Sequence, residues 1–136
     1  MCNNLNEIIV HKDNDDYKTV DGVLFNKILS SVIRCPEKKK GNVSLPYSVT
    51  KINAFAFENC TEITSVEIPE DCVFIGNSAF STCEKLCYVI IPESMEYIDN
   101  NAFSCCDKIE YIHIPDNVYY LGNSAFCSCS SLKEAR

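Results

Sequence analysis

The sequence has little positive charge and no long apolar stretch. Twelve Lys and Arg are outnumbered by nineteen Asp and Glu among 136 residues, so the formal net charge is −7. Proteins that bind nucleic acid neutralise phosphates with Lys and Arg, so this balance argues against a nucleic-acid partner. No apolar run approaches the ~20 residues of a membrane-spanning helix, so we expect no insertion into a membrane.

Targeting signals and catalytic motifs are also missing. The N-terminus, MCNNLNEIIV, has neither the basic region nor the apolar region of a secretory signal. We therefore expect a surface or secreted location only if a signal lies upstream, and a cytoplasmic one otherwise. The chain contains no G-x-S-x-G, H-E-x-x-H, P-loop or G-x-G-x-x-G motif, and His11 and His113 lack the surroundings of a catalytic triad. We expect neither enzyme activity nor a cofactor.

Internal repetition is what the sequence has in abundance. The pentapeptide GNSAF at Gly76–Phe80 returns unchanged at Gly122–Phe126, and related pentapeptides begin at Asn53 and Asp99. Four columns share a step of 23 residues: Pro46, Pro69, Pro92 and Pro115; Ala56, Ala79, Ala102 and Ala125; Phe57, Phe80, Phe103 and Phe126; Cys60, Cys83, Cys106 and Cys129. A unit this short cannot bury its own apolar residues, so we expect the copies to stack around one continuous core.

Each unit predicts a short strand that ends at the proline. In the segment Leu86–Ile91, Val89 and Ile91 should face inward, whereas Tyr88 and Ile90 should face outward. Proline then closes the strand because it has no N–H to donate to the sheet.

The rest of the unit predicts a second extended piece and a bend. The extended piece should centre on Ile75 and its equivalents, and a short helical or 3-10 turn should follow through Cys83. The glycine of GNSAF suggests a left-handed backbone, which Asp99 would also tolerate in the equivalent position.

The N-terminal part is an expanded unit. Leu5, Ile8 and Val10 match the spacing of an inward-facing strand, but His11 takes the place of the proline. From His11 to Pro46 there are 35 residues, twelve more than in a regular unit. This stretch should contain two β segments, at residues 23–25 and 31–34, around a turn near residues 26–30.

These patterns resemble the BspA-like class of leucine-rich repeats. The regular unit of that family resembles PESMEYIDNNAFSCCDKIEYIHI at Pro92–Ile114, and its expanded unit resembles NDDYKTVDGVLFNK at Asn14–Lys27 followed by VIRCP at Val32–Pro36. The resemblance implies a right-handed superhelix used for binding and adhesion, often on bacterial and protozoan cell surfaces, with no catalytic residues. We therefore predict one leucine-rich-repeat domain, a mainly β solenoid over residues 1–136. Its units would be 5–10 (partial), 11–45 (expanded), 46–68, 69–91 and 92–114 (regular), and 115–136 (incomplete).

The ten cysteines admit several interpretations. The column Cys60, Cys83, Cys106 and Cys129 lies between core positions, which favours small buried side chains whose thiols bond backbone groups. Disulfides between coils ~5 Å apart fit the Cα separation, but stacked side chains rarely present the required dihedral angle. The spacing of Cys83 and Cys87 suits zinc, yet Cys83 should point inward, so we assign no metal ligands. Cys72 takes the place of core residues in the other units.

Outward-facing side chains form the candidate binding surface. One group comprises Tyr88, Ile90, Tyr111 and His113, and a second column comprises Phe74, Tyr97 and Tyr120. Tyrosine is enriched where proteins bind partners, but aromatic side chains also stabilise sheets through contacts between neighbouring strands. We favour stabilisation for the second column and leave both interpretations open for the first. The candidate partner-binding residues are Tyr88, Ile90, Tyr111, His113, Tyr97 and Tyr120.

Three functions remain open from the sequence. The first is a non-catalytic scaffold that binds a protein or a surface glycan. The second is a structural segment of a longer solenoid, for which both ends of the chain cut through a unit and end-to-end self-association is expected. The third is a thiol-rich protein with a redox or metal-binding role.

Overall fold

A computed structural model describes residues 4–136, so Cys2 lies outside the described residues. The described chain consists of short strands and turns and contains no helix. The strands are β1 (Tyr17–Val20), β2 (Val23–Asn26), β3 (Ser31–Arg34), β4 (Gly41–Ser44), β5 (Lys51–Ile52), β6 (Ile63–Glu67), β7 (Phe74–Ile75), β8 (Tyr88–Ile90), β9 (Tyr97–Ile98), β10 (Tyr111–Ile112), β11 (Tyr120–Leu121) and β12 (Glu134–Ala135).

The strands stack in two separate parallel ladders. The first ladder has the order β3, β5, β7, β9, β11, and the β1–β2 hairpin extends it at one end. The second ladder joins β4, β6 and β8, and β10 pairs with β12. Phe74 pairs with Tyr97 and Tyr97 with Tyr120, which is the predicted step of 23 residues. The chain is therefore a parallel β-solenoid, and the predicted fold class is confirmed.

The expanded N-terminal unit contains the two predicted β segments. Strands β2 and β3 run antiparallel, with an irregular register between Leu24 and Phe25. The turn between them is closed by Asn26, whose Oδ1 accepts hydrogen bonds from the N–H groups of Ser30 and Ser31, both at 2.9 Å. Strand β3 then starts the parallel ladder by pairing with β5.

Equivalent side chains stack above one another to form the core. Phe57, Phe80 and Phe103 are fully buried, and the centroids of successive rings lie 4.9 and 5.0 Å apart. Phe126 continues the column at 5.5 Å from Phe103 but is only partly buried. Two aliphatic columns are buried in the same way. Ile52, Ile75 and Ile98 form one, and Ile63, Leu86 and Ile109 form the other. Leu121, the counterpart of Ile98 in the last coil, is 47% exposed.

The bend after each strand of the first ladder is not the helical or 3-10 turn that the sequence suggests. Two residues of each bend have positive φ, for example Ser78 at 50° and Thr82 at 60°. The equivalent pairs are Phe55 and Asn59, Asn101 and Cys105, and Ser124 and Ser128. Right-handed helices need negative φ at every residue, so these positions prevent a helix.

The positive φ values of the bend direct every second backbone N–H group toward the next coil. The N–H groups of Ser78, Phe80 and Thr82 donate to carbonyl oxygens one coil further on, at 2.9, 2.7 and 2.8 Å. The N–H groups between them, those of Ala79 and Ser81, close local turns instead, each at 3.1 Å. The bends therefore join neighbouring coils by hydrogen bonds, as the two strand ladders do.

The glycines of GNSAF serve close packing, and the left-handed backbone that we expected for them is wrong. Neither Gly76 nor Gly122 has a positive φ. A Cβ atom on Gly76 would lie 2.5 Å from the backbone nitrogen of Ala54, and one on Gly122 would lie 2.3 Å from that of Asn100. Glycine is therefore required because the previous coil approaches its backbone too closely for a side chain.

We expect Phe103→Ala to lower the free energy of unfolding by ~3–5 kcal/mol, because a fully buried ring between two stacked neighbours leaves a cavity. Urea denaturation followed by circular dichroism measures this change. Phe126→Ala is the matched control and should cost less, since that ring is only partly buried. Equal losses for the two variants would contradict the stacked core.

We expect Gly76→Ala to destabilise the fold by about 1–3 kcal/mol, because the new Cβ atom meets rigid backbone. Asn53→Ala is the matched control in the same column, where a Cβ atom is already accommodated, and its effect should be smaller. Thermal unfolding of both variants tests this, and an unchanged midpoint for Gly76→Ala would contradict the close approach.

Candidate partner-binding surface

Strands β8 and β10, on neighbouring coils, expose three large side chains. Tyr88 and Ile90 of β8 are 59% and 56% exposed, and Tyr111 of β10 is 61% exposed. The residues that alternate with them face the core, because side chains of a strand point to opposite faces in turn. We refer to Tyr88, Ile90 and Tyr111 as the exposed face.

The exposed face crosses an interruption in the second ladder. Strand β8 pairs with β6, whereas β10 pairs with β12, and β8 and β10 are not paired within residues 4–136. No ring contact joins Tyr88 to Tyr111 in that range either. The two tyrosine rings therefore do not stack on one another, which favours the binding interpretation over the stabilising one for this group.

A hydrogen-bonded polar group borders the exposed face on the preceding coils. Glu67, which pairs in register with Ile90, accepts hydrogen bonds from Ser44 Oγ at 2.8 Å and from Asn42 Nδ2 at 3.0 Å. Ser65 Oγ donates to Asn42 Oδ1 at 2.8 Å. The bond from Ser44, followed by that from Asn42, lowers the pKa of the Glu67 carboxyl, so this border keeps a negative charge at neutral pH.

Sequence reasoning did not identify this polar group as a network. The 23-residue step aligns Asn42 with Ser65 and Ser44 with Glu67, and these pairs are neighbours in the parallel ladder. The alignment could have found the contact, because short polar side chains at equivalent positions of adjacent parallel strands lie within hydrogen-bonding reach.

Charged side chains border the other side of the exposed face. His113 directly follows β10, has a side chain that is 64% exposed, and places Nε2 3.3 Å from Glu93 Oε1. The Nζ atom of Lys133 lies 5.4 Å from the ring centroid of Tyr111 and 2.8 Å from Glu110 Oε2. The hydrogen bond from Lys133 lowers the pKa of Glu110, and the same bond raises the pKa of Lys133.

The second candidate column lies in the other ladder and forms a closed stack. The ring centroids of Phe74 and Tyr97 are 5.1 Å apart, and those of Tyr97 and Tyr120 are 4.2 Å apart. The Nζ atom of Lys51 covers the far side of Phe74 at 4.7 Å from its centroid. Because the ring faces are used in contacts with one another, this column stabilises the ladder, as the favoured interpretation proposed.

Tyr97 and Tyr120 are therefore separated from the exposed face. They share a ladder with each other, and the adjacent Tyr119, which is 75% exposed, meets Tyr97 edge-on at 6.3 Å. Reduced hydration raises the pKa of Tyr97, and the charge of Asp99 adds to the effect. Of the predicted site residues, Tyr88, Ile90, Tyr111 and His113 lie on or directly after strands β8 and β10, whereas Tyr97 and Tyr120 lie in the first ladder.

The repeated cysteines donate hydrogen bonds inside the core, which confirms the interpretation of this column as buried backbone-bonded side chains. The Sγ atoms of Cys83, Cys106 and Cys129 lie 3.2, 3.1 and 3.1 Å from carbonyl oxygens of the preceding coil. The acceptors are the carbonyl groups of Phe57, Phe80 and Phe103. Burial raises the pKa of Cys83, and it raises the pKa of Cys129 to about 11, so both are protonated donors at neutral pH.

The cysteine column has one more member at its N-terminal end than the repeat predicts. Cys60 Sγ lies 3.8 Å from the carbonyl oxygen of Cys35 and 3.6 Å from that of Pro36. Cys35 is fully buried, and a hydrogen bond with the Cys60 side chain, together with burial, raises its pKa. The 23-residue step does not reach Cys35, which explains why the sequence did not place it in this column.

The nine cysteines in the described part of the chain are all free thiols, and two of them, Cys87 and Cys127, are exposed. Residues 4–136 contain no group of three or more His, Cys, Asp or Glu placed to hold a metal ion. Nor does this range contain a helix with the length and apolar character needed to cross a membrane. The carbonyl contacts of the cysteine column favour a structural role for its thiols.

We expect alkylating reagents to distinguish Cys127 from Cys129 in the folded protein. The thiolate is the reactive form, and a pKa of about 11 leaves roughly one thousandth of Cys129 ionised at about pH 8. Brief iodoacetamide treatment at this pH, followed by mass spectrometry, should label exposed Cys127 first, and the Cys129 rate should rise as the pH approaches 11. Equal rates at pH 8 would contradict the buried, hydrogen-bonded column.

Comparison with known families and structures agrees with this architecture. A family model described as a BspA-type leucine-rich repeat region matches six copies over residues 35–133. No curated protein sequence matches the chain significantly.

Three solved structures illustrate the similarity. The pneumococcal vaccine antigen PcpA has a TM-score of 0.92 and 27% identity, over 95% of this chain and 32% of PcpA. A leucine-rich repeat protein from Bacteroides ovatus has a TM-score of 0.73 and 29% identity, over 88% of this chain and 31% of that one. A leucine-rich cell surface protein from Faecalibacterium prausnitzii has a TM-score of 0.68 and 27% identity, over 91% of this chain and 40% of that one. The chain thus spans less than half the length of each of these proteins.

Proposed function

Because the chain belongs to the family of BspA-type leucine-rich repeat proteins, we propose that it is a non-catalytic scaffold that binds a protein or a surface glycan. The exposed face carries the binding. Tyr88, Ile90 and Tyr111 are each more than half exposed and lie on neighbouring coils, on strands β8 and β10. This clustering is the observation on which the proposal depends.

The exposed face has the composition of a binding surface. Grouped exposed apolar side chains rimmed by polar residues are typical of sites where a partner excludes water. Tyrosine contributes strongly to such sites, because it buries a large area while losing little conformational freedom. The rim consists of the Glu67 network on one side and the His113–Glu93 pair on the other.

The solenoid holds this surface in a fixed shape. Each exposed residue alternates with a buried one, such as Val89 or Ile112, that is packed into the stacked core. Side chains held on a rigid framework lose little freedom when a partner binds, which favours affinity.

The names of the similar structures support a role at the cell surface. PcpA is a vaccine antigen, and the protein from Faecalibacterium prausnitzii is described as a cell surface protein. A surface location would bring the exposed face into contact with external proteins and glycans, and adhesion is the function that fits such contacts.

A structural segment of a longer solenoid is the second candidate. The observation that favours it is that the chain spans only about a third of the length of PcpA and of the Bacteroides ovatus protein. In that case, the coils of this chain would only join the neighbouring coils of the longer solenoid. The exposed face would then have no partner of its own. Self-association through the ends of the stack, measured by light scattering over a range of concentrations, would support this candidate.

The double variant Tyr88→Ala/Tyr111→Ala tests the binding proposal. We expect at least one captured protein or arrayed glycan to bind tenfold or more weakly, because losing two central tyrosines costs about 2 kcal/mol or more. Quantitative affinity capture and a glycan array, each with wild type and variant, provide the measurement.

Tyr119→Ala is the control, since it removes a tyrosine that is at least as exposed as Tyr88 and Tyr111 and lies next to β11 in the other ladder. The control should bind like wild type, and both variants should unfold at the wild-type midpoint. If every ligand binds the double variant as well as the wild type, the exposed face is not the binding surface.

A further inference from the structure

A second surface feature lies on the expanded N-terminal unit, at the start of the first ladder. A cavity of about 300 Å³ opens between the segment at residues 10–12, strand β1 and Lys27. Its polar and aromatic lining consists of His11, Lys12, Tyr17, Lys18, Thr19 and Lys27. This volume is at the lower end of the ~300–1,000 Å³ of cavities that bind small molecules.

The charge of this cavity is opposite to that of the whole chain. The lining contains three lysines and no Asp or Glu, whereas the chain has a formal net charge of −7. Three aspartates, Asp13, Asp15 and Asp16, lie in the adjoining loop but not in the lining, and Asp13 Oδ2 lies 3.7 Å from His11 Nδ1. The cavity is therefore a local concentration of cations that can attract an anionic group.

Hydrogen bonds hold the loop beside the cavity in place. Asn14 Oδ1 accepts the N–H groups of Asp16 at 2.9 Å and of Tyr17 at 2.8 Å. The Nζ atom of Lys27 donates to the carbonyl oxygen of Asn14. These bonds tie the loop to β1 and to the end of β2, and they set the position from which Tyr17 and Lys18 line the cavity.

Two polar side chains of the lining complete the set of binding groups. His11 Nδ1 accepts the N–H group of Asp13 at 3.3 Å, and Nε2 is the second hydrogen-bonding atom of the ring. Thr19 supplies a hydroxyl group that can both donate and accept a hydrogen bond. The cavity thus combines lysine side chains with two further hydrogen-bonding side chains and the phenol ring of Tyr17.

We propose that this cavity binds an anionic sugar, a saccharide that carries a carboxylate, sulfate or phosphate group. Lys12 and Lys18 would form charge-assisted hydrogen bonds with the anionic group, because neither side chain has a hydrogen bond or ion pair within residues 4–136. The ring of Tyr17 and the hydroxyl of Thr19 would contact the sugar. The volume favours a sugar over an inorganic anion, which would leave most of the cavity empty.

This site is independent of the exposed face. It shares no residue with Tyr88, Ile90 or Tyr111, and it lies beside β1 in the other ladder. Loss of partner binding in the tyrosine double variant would therefore leave sugar binding unchanged, and the failure of one proposal would not affect the other.

Calorimetric titration of the whole protein with four probes tests the proposal. D-Glucuronate and glucose 6-phosphate should bind with dissociation constants on the order of 1 mM in low salt, as expected for a few exposed charge-assisted bonds. Glucose should show no binding, and inorganic phosphate should bind several-fold more weakly than the charged sugars. NMR shifts confined to Tyr17, Thr19 and their neighbours should locate the site.

Matched double variants separate the cavity from general charge. Lys12→Gln/Lys18→Gln should weaken binding of both charged sugars at least tenfold. Lys40→Gln/Lys108→Gln removes the same charge from exposed residues outside the cavity and should retain the wild-type affinity. Lys27 is left intact because its bond to Asn14 holds the loop, and unfolding midpoints confirm that both variants fold.

Three outcomes would overturn the proposal. The first is no heat of binding for either charged sugar at about 20 mM, well above the expected dissociation constant. The second is equal affinity for inorganic phosphate and the charged sugars, which would identify a simple anion site. The third is the same loss of affinity in both double variants, which would attribute binding to overall charge.

Discussion

The hydrogen-bonded register between coils is the constraint on which the rest of this structure depends. Each coil of 23 residues presents its backbone N–H and C=O groups to the next coil, in two strand ladders and in the bends that follow the first of them. That register superimposes equivalent side chains, so phenylalanine rings meet at 4.9 to 5.5 Å and thiols reach phenylalanine carbonyl groups. It also brings the backbones so close at Gly76 and Gly122 that a side chain cannot fit there.

The same register separates the residues that build the scaffold from those available for binding. Positions that repeat are mostly buried, as the phenylalanine and alanine columns show, or they stack within a ladder, as Tyr97 and Tyr120 do. Tyr88 and Tyr111 occupy the same outward position on neighbouring coils, but their rings do not stack on one another. The cavity beside β1 lies in the expanded unit, where the regular repeat is broken and a loop can form.

Several features could be predicted because a repeat converts spacing in the sequence into position in the fold. The parallel solenoid, the buried columns and the alternation around Val89 follow from spacing, whereas the two β segments of the expanded unit were predicted from the residues of that stretch. The bend was predicted wrongly because Asn, Ser and Ala are compatible with a helical turn, whereas bonds to the next coil impose positive φ at Ser78 and Thr82. Cys35 was not placed because the expanded unit shifts its spacing away from 23 residues.

By itself, the sequence determined the fold, since periodic apolar positions have one way to become buried, which is to stack. It also determined which side chains face outward, because the period of two along each strand leaves no alternative. Only the tertiary structure decided which of these outward-facing rings stack on one another and which do not. Tyr97 and Tyr120 use their ring faces in contacts 4.2 Å apart, whereas Tyr88 and Tyr111 lie on either side of a break in the second ladder. That difference arises from the pairing of strands between coils, which the repeat pattern within one unit does not contain.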